Sequence, residues 1–512
     1  MSCAGKERGK RGLYRKGKTK VGYLLGIDQS TQGTKAVLVD GSGRIAGRKD
    51  LPHDQIINGQ GWVSHDPEQI WENAKAVLRS VIEHVGVPHG EIRALAITNQ
   101  RETTLAWSRK TGKPLAHAIV WQCSRASELC AQIAKQHAGW EEKIYERTGI
   151  RLSPYFPASK MAWLLQNEPA VAEAAKNGDL AFGTIDAYLV YRLTGGKEFR
   201  TDYSNASRTQ LFNLQTLSWD EEICSLFGIP VEALPEVTDS DGCYGETDLD
   251  GYLAAPVPIR GVLGDSHGAL FGHNCRQSGG IKATYGTGSS IMLNIGDAFV
   301  RSSHGLTTSL GWKAGGKVAY VLEGNVNYSA AVISWLKNDV QLIGSPAETS
   351  RLSMEANPED TTVLVPAFSG LGAPWWNNDA RAMLCGMSRT TGKKEIVKAA
   401  CESIAYQINA VVQAMREDTG LAIETLSVDG GATGNEFLMQ FQSDLSAALI
   451  RIPDMQELSV LGPVYAAGLA TGFYDERVFQ ALSYREYRPK MADEVRNRKL
   501  DSWNEAIEKL LR

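Results

Sequence analysis

The chain has 512 residues, too many for one hydrophobic core, so two large domains are expected. Hydrophobic residues make up 43% and charged residues 22%, the balance of an ordinary globular protein. A net charge of −4 gives no case for nucleic acid or an anionic membrane surface as partner, and no apolar run approaches a membrane span.

Eight scattered cysteines include no C-x-x-C pair and no cluster of zinc-binding spacing. They read as reduced thiols in a cytoplasmic protein. Residues 1–20 are strongly basic, but no apolar segment follows that could form a secretory core. They are expected to be a disordered extension.

The first patterned stretch is Tyr23–Asp40, YLLGIDQSTQGTKAVLVD. An apolar run ends at Asp28, a small polar turn covers Ser30 to Thr34, and a second apolar run follows, so a hairpin is predicted. Backbone N–H groups in such a turn can face a phosphate, and the Asp can hold Mg²⁺ beside it. A plain solvated turn has the same pattern. Arg44–Asp50 reads as a third strand. Asp66-Pro67-Glu68-Gln69 then reads as a helix start, with Asp as cap, Pro at the first helical position and Gln reaching back. Ile70, Trp71, Ala74, Val77, Leu78, Val81 and Ile82 follow at helical spacing.

Ile92–Ile97 is a predicted strand with Thr98 to Thr104 at its carboxyl end, where ligands bind in α/β sheets. Leu105–Trp107 and Ala118–Trp121 read as short strands, and Glu128–His137 and Lys160–Ala175 as helices. Leu180–Leu193 and Val262–Gly264 read as a return to the sheet, with Asp265 directly after the latter. Gln277-Ser278-Gly279-Gly280 marks a domain boundary. The second half opens as the first did: strand Ile281–Tyr285, polar turn Gly286 to Ser290, strand Ile291–Ile295. A duplicated fold is therefore expected, each hairpin facing the other across a cleft. Glu395–Thr419 is a long helix, and the strand Leu426–Val428 ends in Asp429-Gly430-Gly431. The helix Asn435–Ala448 follows, with backbone brought close to a ligand at its start.

In this order the motifs resemble the sugar and polyol kinases called the FGGY family, within the actin and hexokinase superfamily. Residues 155–163, YFPASKMAW, look like one family signature, and the stretch from Ala382 to Glu402 like the other, with Cys401 where an apolar residue is usual. TNQRETT at 98–104, VWQCSR at 120–125, TDYSNASRT at 201–209, PAFSGLGAPWW at 366–376 and VDGGATGNEFLMQFQSD at 428–444 are most similar to the glycerol kinases. The resemblance implies an α/β, two-domain actin/hexokinase-like (ribonuclease H-like) fold, its duplicated domains around an interdomain cleft. The implied domains are 21–276 and 277–480, with a helical tail at 481–512.

The implied activity is ATP- and Mg²⁺-dependent phosphorylation of a primary hydroxyl of a small polyol, glycerol first. Asp28 matches the acidic residue at the Mg²⁺–ATP site. Ser30 and Thr31 match the first phosphate loop, where Gln32 departs from the pattern but still offers an amide donor, and Gly286, Thr287 and Gly288 match the second. Gly431 and Asn435 match nucleoside contacts. Asp265 matches the catalytic base, and Arg101, Glu102, Trp121 and Tyr155 match polyol-binding residues. Singly, each has a plainer reading: Asp265 as a helix cap, Arg101 and Glu102 as a surface pair, Trp121 and Tyr155 as core. The resemblance leaves a homodimer or homotetramer open.

The pattern also departs from the glycerol kinases. Ser266 and His267 stand where they carry Gln-Gln, and Ser290 where a Phe packs on the acceptor's carbons. Asn325-Val326-Asn327-Tyr328 and Gln32-Gly33-Thr34-Lys35 differ as well. A wider, more polar pocket is expected, which keeps a larger polyol or ketose as the alternative acceptor. A non-catalytic, actin-like nucleotide-binding protein is the alternative of another class.

Overall fold

The computed structural model describes residues 22–512, so the basic extension lies outside the described residues. Seven cysteines are described and none is in a disulfide. The chain forms two compact units. The first runs to Asn274 and includes Ser309–Tyr320 and Glu457–Ala481; the second holds the rest from Cys275 onward.

In the first unit the opening hairpin is β1 (Tyr23–Gln29) and β2 (Gly33–Asp40), extended by β3 (Ile45–Pro52). Helix α1 (Pro67–Val85) starts on Asp66, whose carboxylate accepts the Glu68 N–H at 2.9 Å. Its buried face holds the seven apolar residues that the spacing singled out. Fully burying a side chain such as Leu78 (0% exposed) stabilises by about 2–3 kcal/mol. Gln69 does not reach back to the cap; its amide instead brackets Asp54, through the backbone N–H at 3.0 Å and the carboxylate at 3.1 Å. Strand β4 (Ile92–Asn99) lies parallel to β1 and brings Thr98 level with Asp28.

Helix α2 (Pro157–Asn167) stops where the sequence pattern runs on to Ala175. Glu168 takes extended backbone, as a residue before proline tends to, and Pro169 begins a separate helix. Leu180–Leu193 also differs from expectation. Only Leu180–Gly183 is a strand, pairing with Leu105–Ser108 outside the main sheet, and Ile185–Leu193 is helix α3. Ile185 to Tyr191 are buried without exception, so no polar face marks the helical period. Ala118–Trp121 is paired only over Ala118–Ile119. Strands β5 (Cys243–Thr247) and β6 (Val257–Gly264) complete a sheet of order β5-β6-β4-β1-β2-β3, and helix α4 (Asp265–Gly272) leaves the end of β6.

The second unit repeats this plan. Strands β7 (Ile281–Tyr285) and β8 (Ser289–Gly296) form its hairpin. In chain order come β9 (Thr307–Ala314) and β10 (Lys317–Val326), of which Ser309–Tyr320 groups with the first unit, then helix α5 (Lys393–Thr419), β11 (Thr425–Asp429), helix α6 (Glu436–Ser446) and β12 (Leu449–Pro453). The sheet order is β9-β10-β8-β7-β11-β12-β13, where β13 is Tyr484–Tyr487. Each sheet thus has an antiparallel hairpin whose first strand runs parallel to a later strand: β1 beside β4, β7 beside β11. That shared topology is the duplication expected from the two polar hairpins.

Helix α7 (Leu458–Ala470) belongs to the first unit, although sequence order had put it in the second domain. The reason is steric. A Cβ on Gly462 would lie 1.9 Å from the Gly268 carbonyl oxygen, and one on Gly268 would lie 2.3 Å from that of Ser459. Helices α4 and α7 therefore meet backbone to backbone, which only glycine permits. The tail is not wholly helical either: β13 precedes its helix, Asp493–Leu511.

Candidate active site

Within the first unit, Asp28 ends β1, and the hairpin register sets Lys35 directly opposite. Lys35 Nζ lies 3.2 Å from Asp28 Oδ2 and 2.9 Å from Glu457 Oε2. Arg48 reaches the other oxygen of Glu457 at 2.6 Å. Asp28 is only 5% exposed. Burial raises its pKa to about 6, Lys35 opposes the rise, and the Asp265 carboxylate adds to it. Two acidic groups therefore share one neighbourhood at the carboxyl ends of β1 and β6.

The turn between β1 and β2 is tight: Ser30 donates both its N–H and its hydroxyl to the Gly33 carbonyl at 2.9 Å. Gln32 is exposed at its tip. Thr31 is tied elsewhere, its hydroxyl accepting the Trp121 indole N–H at 2.9 Å. Trp121 in turn meets Tyr155 edge-on, with ring centroids 5.6 Å apart. Thr31, Trp121 and Tyr155 come from three separate stretches, and the fold brings them together.

Arg101 and Glu102 follow β4 but do not pair with each other. Arg101 donates from Nε to Asp265 Oδ1 at 2.9 Å and from Nη2 to Ser266 Oγ at 3.2 Å. Glu102 sits at φ 61, a left-handed backbone uncommon for a non-glycine residue, which turns its side chain the other way. Its carboxylate accepts Arg208 Nε at 2.6 Å in a pair that is almost wholly buried. The surface-pair reading thus fails for both residues. Asp265 is the first residue of α4 rather than its cap, and its Oδ1 also accepts the Ser266 N–H at 2.6 Å.

Within the second unit, Gly286, Thr287 and Gly288 form the β7–β8 turn, closed by Gly286 N–H on the Gly288 carbonyl at 3.0 Å. Gly430, at φ 98, packs so close to the end of β7 that a Cβ would lie 2.4 Å from the Tyr285 carbonyl oxygen. Gly431 is thereby set beside that turn, and no atom within 4 Å would meet a Cβ there. Asn435 caps α6 through the Leu438 N–H at 2.9 Å and donates to Thr349 Oγ1 at 2.9 Å. Ser290 is level with Thr284 across the hairpin and donates to Glu323 Oε1 at 3.1 Å.

Lys35, Glu457, Arg208 and Lys160 were not assigned roles from the sequence. Lys35 was open to prediction, since the hairpin register alone puts it opposite Asp28. Arg208 and Lys160 lay inside stretches singled out for resemblance. Glu457 gave no local signal, because only packing of α7 on the first unit carries it to Lys35. Among the described residues, no three His, Cys, Asp or Glu side chains cluster as a metal site, and no helix is long and apolar enough to cross a membrane.

Two family models match the chain, the N-terminal domain of the FGGY family of carbohydrate kinases over residues 23–272 and its C-terminal domain over 281–471. Glycerol kinase 1 of Thermotoga maritima is 46% identical over 96% of this chain and 99% of its own length. A glycerol kinase of Symbiobacterium thermophilum is 43% identical over 95% and 98%. The crystal structure of Plasmodium falciparum glycerol kinase with ADP superposes with a TM-score of 0.91 at 35% identity, covering 96% of this chain and 99% of that one. A xylulose kinase from Lactobacillus acidophilus, at 21% identity and a TM-score of 0.84, shares the fold. Both halves of the chain match in order and nearly end to end, so the protein belongs to the FGGY family of carbohydrate kinases.

Proposed function

We propose that this enzyme transfers the γ-phosphoryl group of ATP to a primary hydroxyl of glycerol, forming glycerol 3-phosphate and ADP. Family membership makes the reaction an ATP-dependent phosphorylation of an alcohol. The observation that carries the finer reading is the Arg101–Asp265 pair, held 2.9 Å apart in the same unit as the buried Asp28. Similarity to glycerol kinases along nearly the whole chain supports glycerol as the acceptor.

In this reading the acceptor hydroxyl gives its proton to Asp265 as its oxygen attacks the γ-phosphorus, and the bond to the bridging oxygen of ADP breaks. Arg101 orients the base and offers donors to a neighbouring hydroxyl. Trp121 and Tyr155 cover the carbon face of the polyol and keep water, a competing acceptor, away. Glu102, fixed by Arg208, accepts from a second hydroxyl. Ser30, Thr31 and Gln32 form one proposed phosphate-binding turn, and Gly286, Thr287 and Gly288 form another. Gly431 and Asn435 lie on the nucleoside side.

The residues also fit Mg²⁺. Asp28 is buried with its pKa raised to about 6, and a divalent cation would supply charge that Lys35 does not fully provide. Asp28 would hold the ion directly or through water, with substrate phosphates completing the shell. Bound there, Mg²⁺ would neutralise charge on the phosphoryl oxygens.

A coupled ADP-release screen over three- to six-carbon polyols and ketoses tests the proposal. Glycerol should give the highest kcat/KM. A longer acceptor that outperforms it would replace glycerol and keep the kinase reading.

A further inference from the structure

Lys160 lies in the fourth position of α2 and is completely buried. Its Nζ donates to three backbone carbonyls: Glu102 at 3.3 Å, Trp121 at 3.3 Å, and Tyr155. An ammonium has three N–H groups and no acceptor, so three carbonyls satisfy it fully. Side chains on a helix lean toward its N-terminus, which explains how Lys160 reaches back to Tyr155, before the first turn. The three carbonyls belong to three segments, of which the first two also pair through backbone hydrogen bonds between Thr104 and Ile119. Glu102 is in the turn after β4, Trp121 follows the short strand Ala118–Ile119, and Tyr155 precedes α2.

We propose that Lys160 is a positioning residue for the acceptor site: its ammonium clamps the backbones of Glu102, Trp121 and Tyr155 so that their side chains hold the polyol. This rests on the reading of those three residues as the acceptor's binding wall. A residue serving only to fill this space would be apolar. A buried charge is costly, and burial pulls the Lys160 pKa down to about 7 against the pull of the Glu102 carboxylate. The left-handed backbone of Glu102 needs support from its surroundings to persist, and Lys160 binds that residue's own carbonyl. The same ammonium lies 5.8 Å from the Tyr155 ring centroid, a second hold on one of the three. No such tie runs from Lys160 to Asp28 or Asp265 among its hydrogen bonds. The clamp therefore acts directly on the acceptor residues and reaches the phosphate-facing turn only through the Trp121 indole on Thr31.

The test compares the full-length wild type with Lys160→Met and Lys160→Gln. Gln keeps two N–H donors but no charge. KM for the acceptor and for ATP are measured separately, with thermal melting as a check on folding. In Lys160→Met the acceptor KM should rise on the order of tenfold or more, the size expected for lost charged hydrogen bonds. KM for ATP should stay within about twofold, and Lys160→Gln should fall between. A purely structural lysine would lower the melting temperature or the active fraction and leave both KM values unchanged, which overturns the proposal. If Lys160→Met does not fold, Lys160→Gln alone carries the same comparison. The wild type is first assayed over three- to six-carbon polyols and ketoses. No turnover with any of them defeats the functional reading and this proposal together. Turnover with unaltered acceptor KM in the variants defeats this proposal alone.

Discussion

Arg101 and Asp265 are joined by a 2.9 Å hydrogen bond from Nε to Oδ1, and the carboxylate is still 39% exposed. The Ser266 N–H also falls on Oδ1, at 2.6 Å. Oδ2 has no protein partner among the described residues, which leaves one oxygen of a fixed carboxylate to take a proton. Asp265→Asn preserves the shape and removes the basicity. It should lower kcat by roughly a hundredfold or more, the size of a general-base contribution, with little change in ATP binding. Near-normal turnover in the variant would remove Asp265 from the role.

Asp28 links acidity, metal and stability. Burial lifts its folded pKa to about 6, from the ordinary aspartate value of 3.8. Between those values the folded protein holds a proton that the unfolded chain has lost. The resulting stabilisation is fully present below the unfolded pKa and disappears as pH rises through 6. Above pH 6 the ionised group costs the ligand-free protein on the order of 2–3 kcal/mol. Asp28→Asn should therefore melt higher than wild type at pH 8 and about the same near pH 4. It should also lose Mg²⁺-dependent turnover. In the wild type, kcat/KM for MgATP should fall as pH drops below about 6, because protonation would take away the proposed metal ligand. An equal melting shift at both pH values would contradict the burial argument.

The Arg208–Glu102 pair, at 2.6 Å with both side chains almost wholly buried, predicts a large stability effect. Arg208→Met leaves a buried carboxylate without its cation, which typically costs about 3–5 kcal/mol. Denaturant unfolding of the variant measures this directly. The double variant Arg208→Met with Glu102→Gln should recover part of the loss, since no charge is then stranded. A single variant within about 0.5 kcal/mol of wild type would show that the pair is not buried in solution.

Much of this fold was legible because periodicity and turn chemistry agree along the chain. The β1–β2 hairpin, the buried face of α1 and the repeated hairpin at β7–β8 all follow from local pattern. Two elements were hidden from local pattern for different physical reasons. Helix α3 is buried on all sides, and a helix without a polar face carries no 3.6-residue signal. Helix α7 reads as part of the second domain by position, yet glycine contacts such as Gly268 with Gly462 fix it to the first unit. In the candidate site, Arg101 and Glu102 were found by position but their partners were not. The left-handed backbone at Glu102 sends the adjacent side chains apart, and no spacing rule anticipates that for a glutamate.

Ser290 carries a prediction about acceptor choice. Its hydroxyl donates to Glu323 at 3.1 Å, so this serine is a committed polar group at a position where the family resemblance implies a Phe. Ser290→Phe should raise discrimination for glycerol over four- and five-carbon acceptors by roughly tenfold, the scale of an apolar contact worth 1–3 kcal/mol. Ratios of kcat/KM for each acceptor, before and after substitution, measure it. An unchanged ratio would exclude Ser290 from acceptor selection.

The most direct measurement incubates the purified enzyme with ATP, Mg²⁺ and glycerol and follows products by phosphorus NMR. The account predicts one glycerol 3-phosphate for each ADP formed, with little inorganic phosphate, and roughly a hundredfold less product when Asp265→Asn replaces the wild type over the same interval. ATP cleaved to ADP and inorganic phosphate at the same rate with and without glycerol or any longer polyol would contradict it.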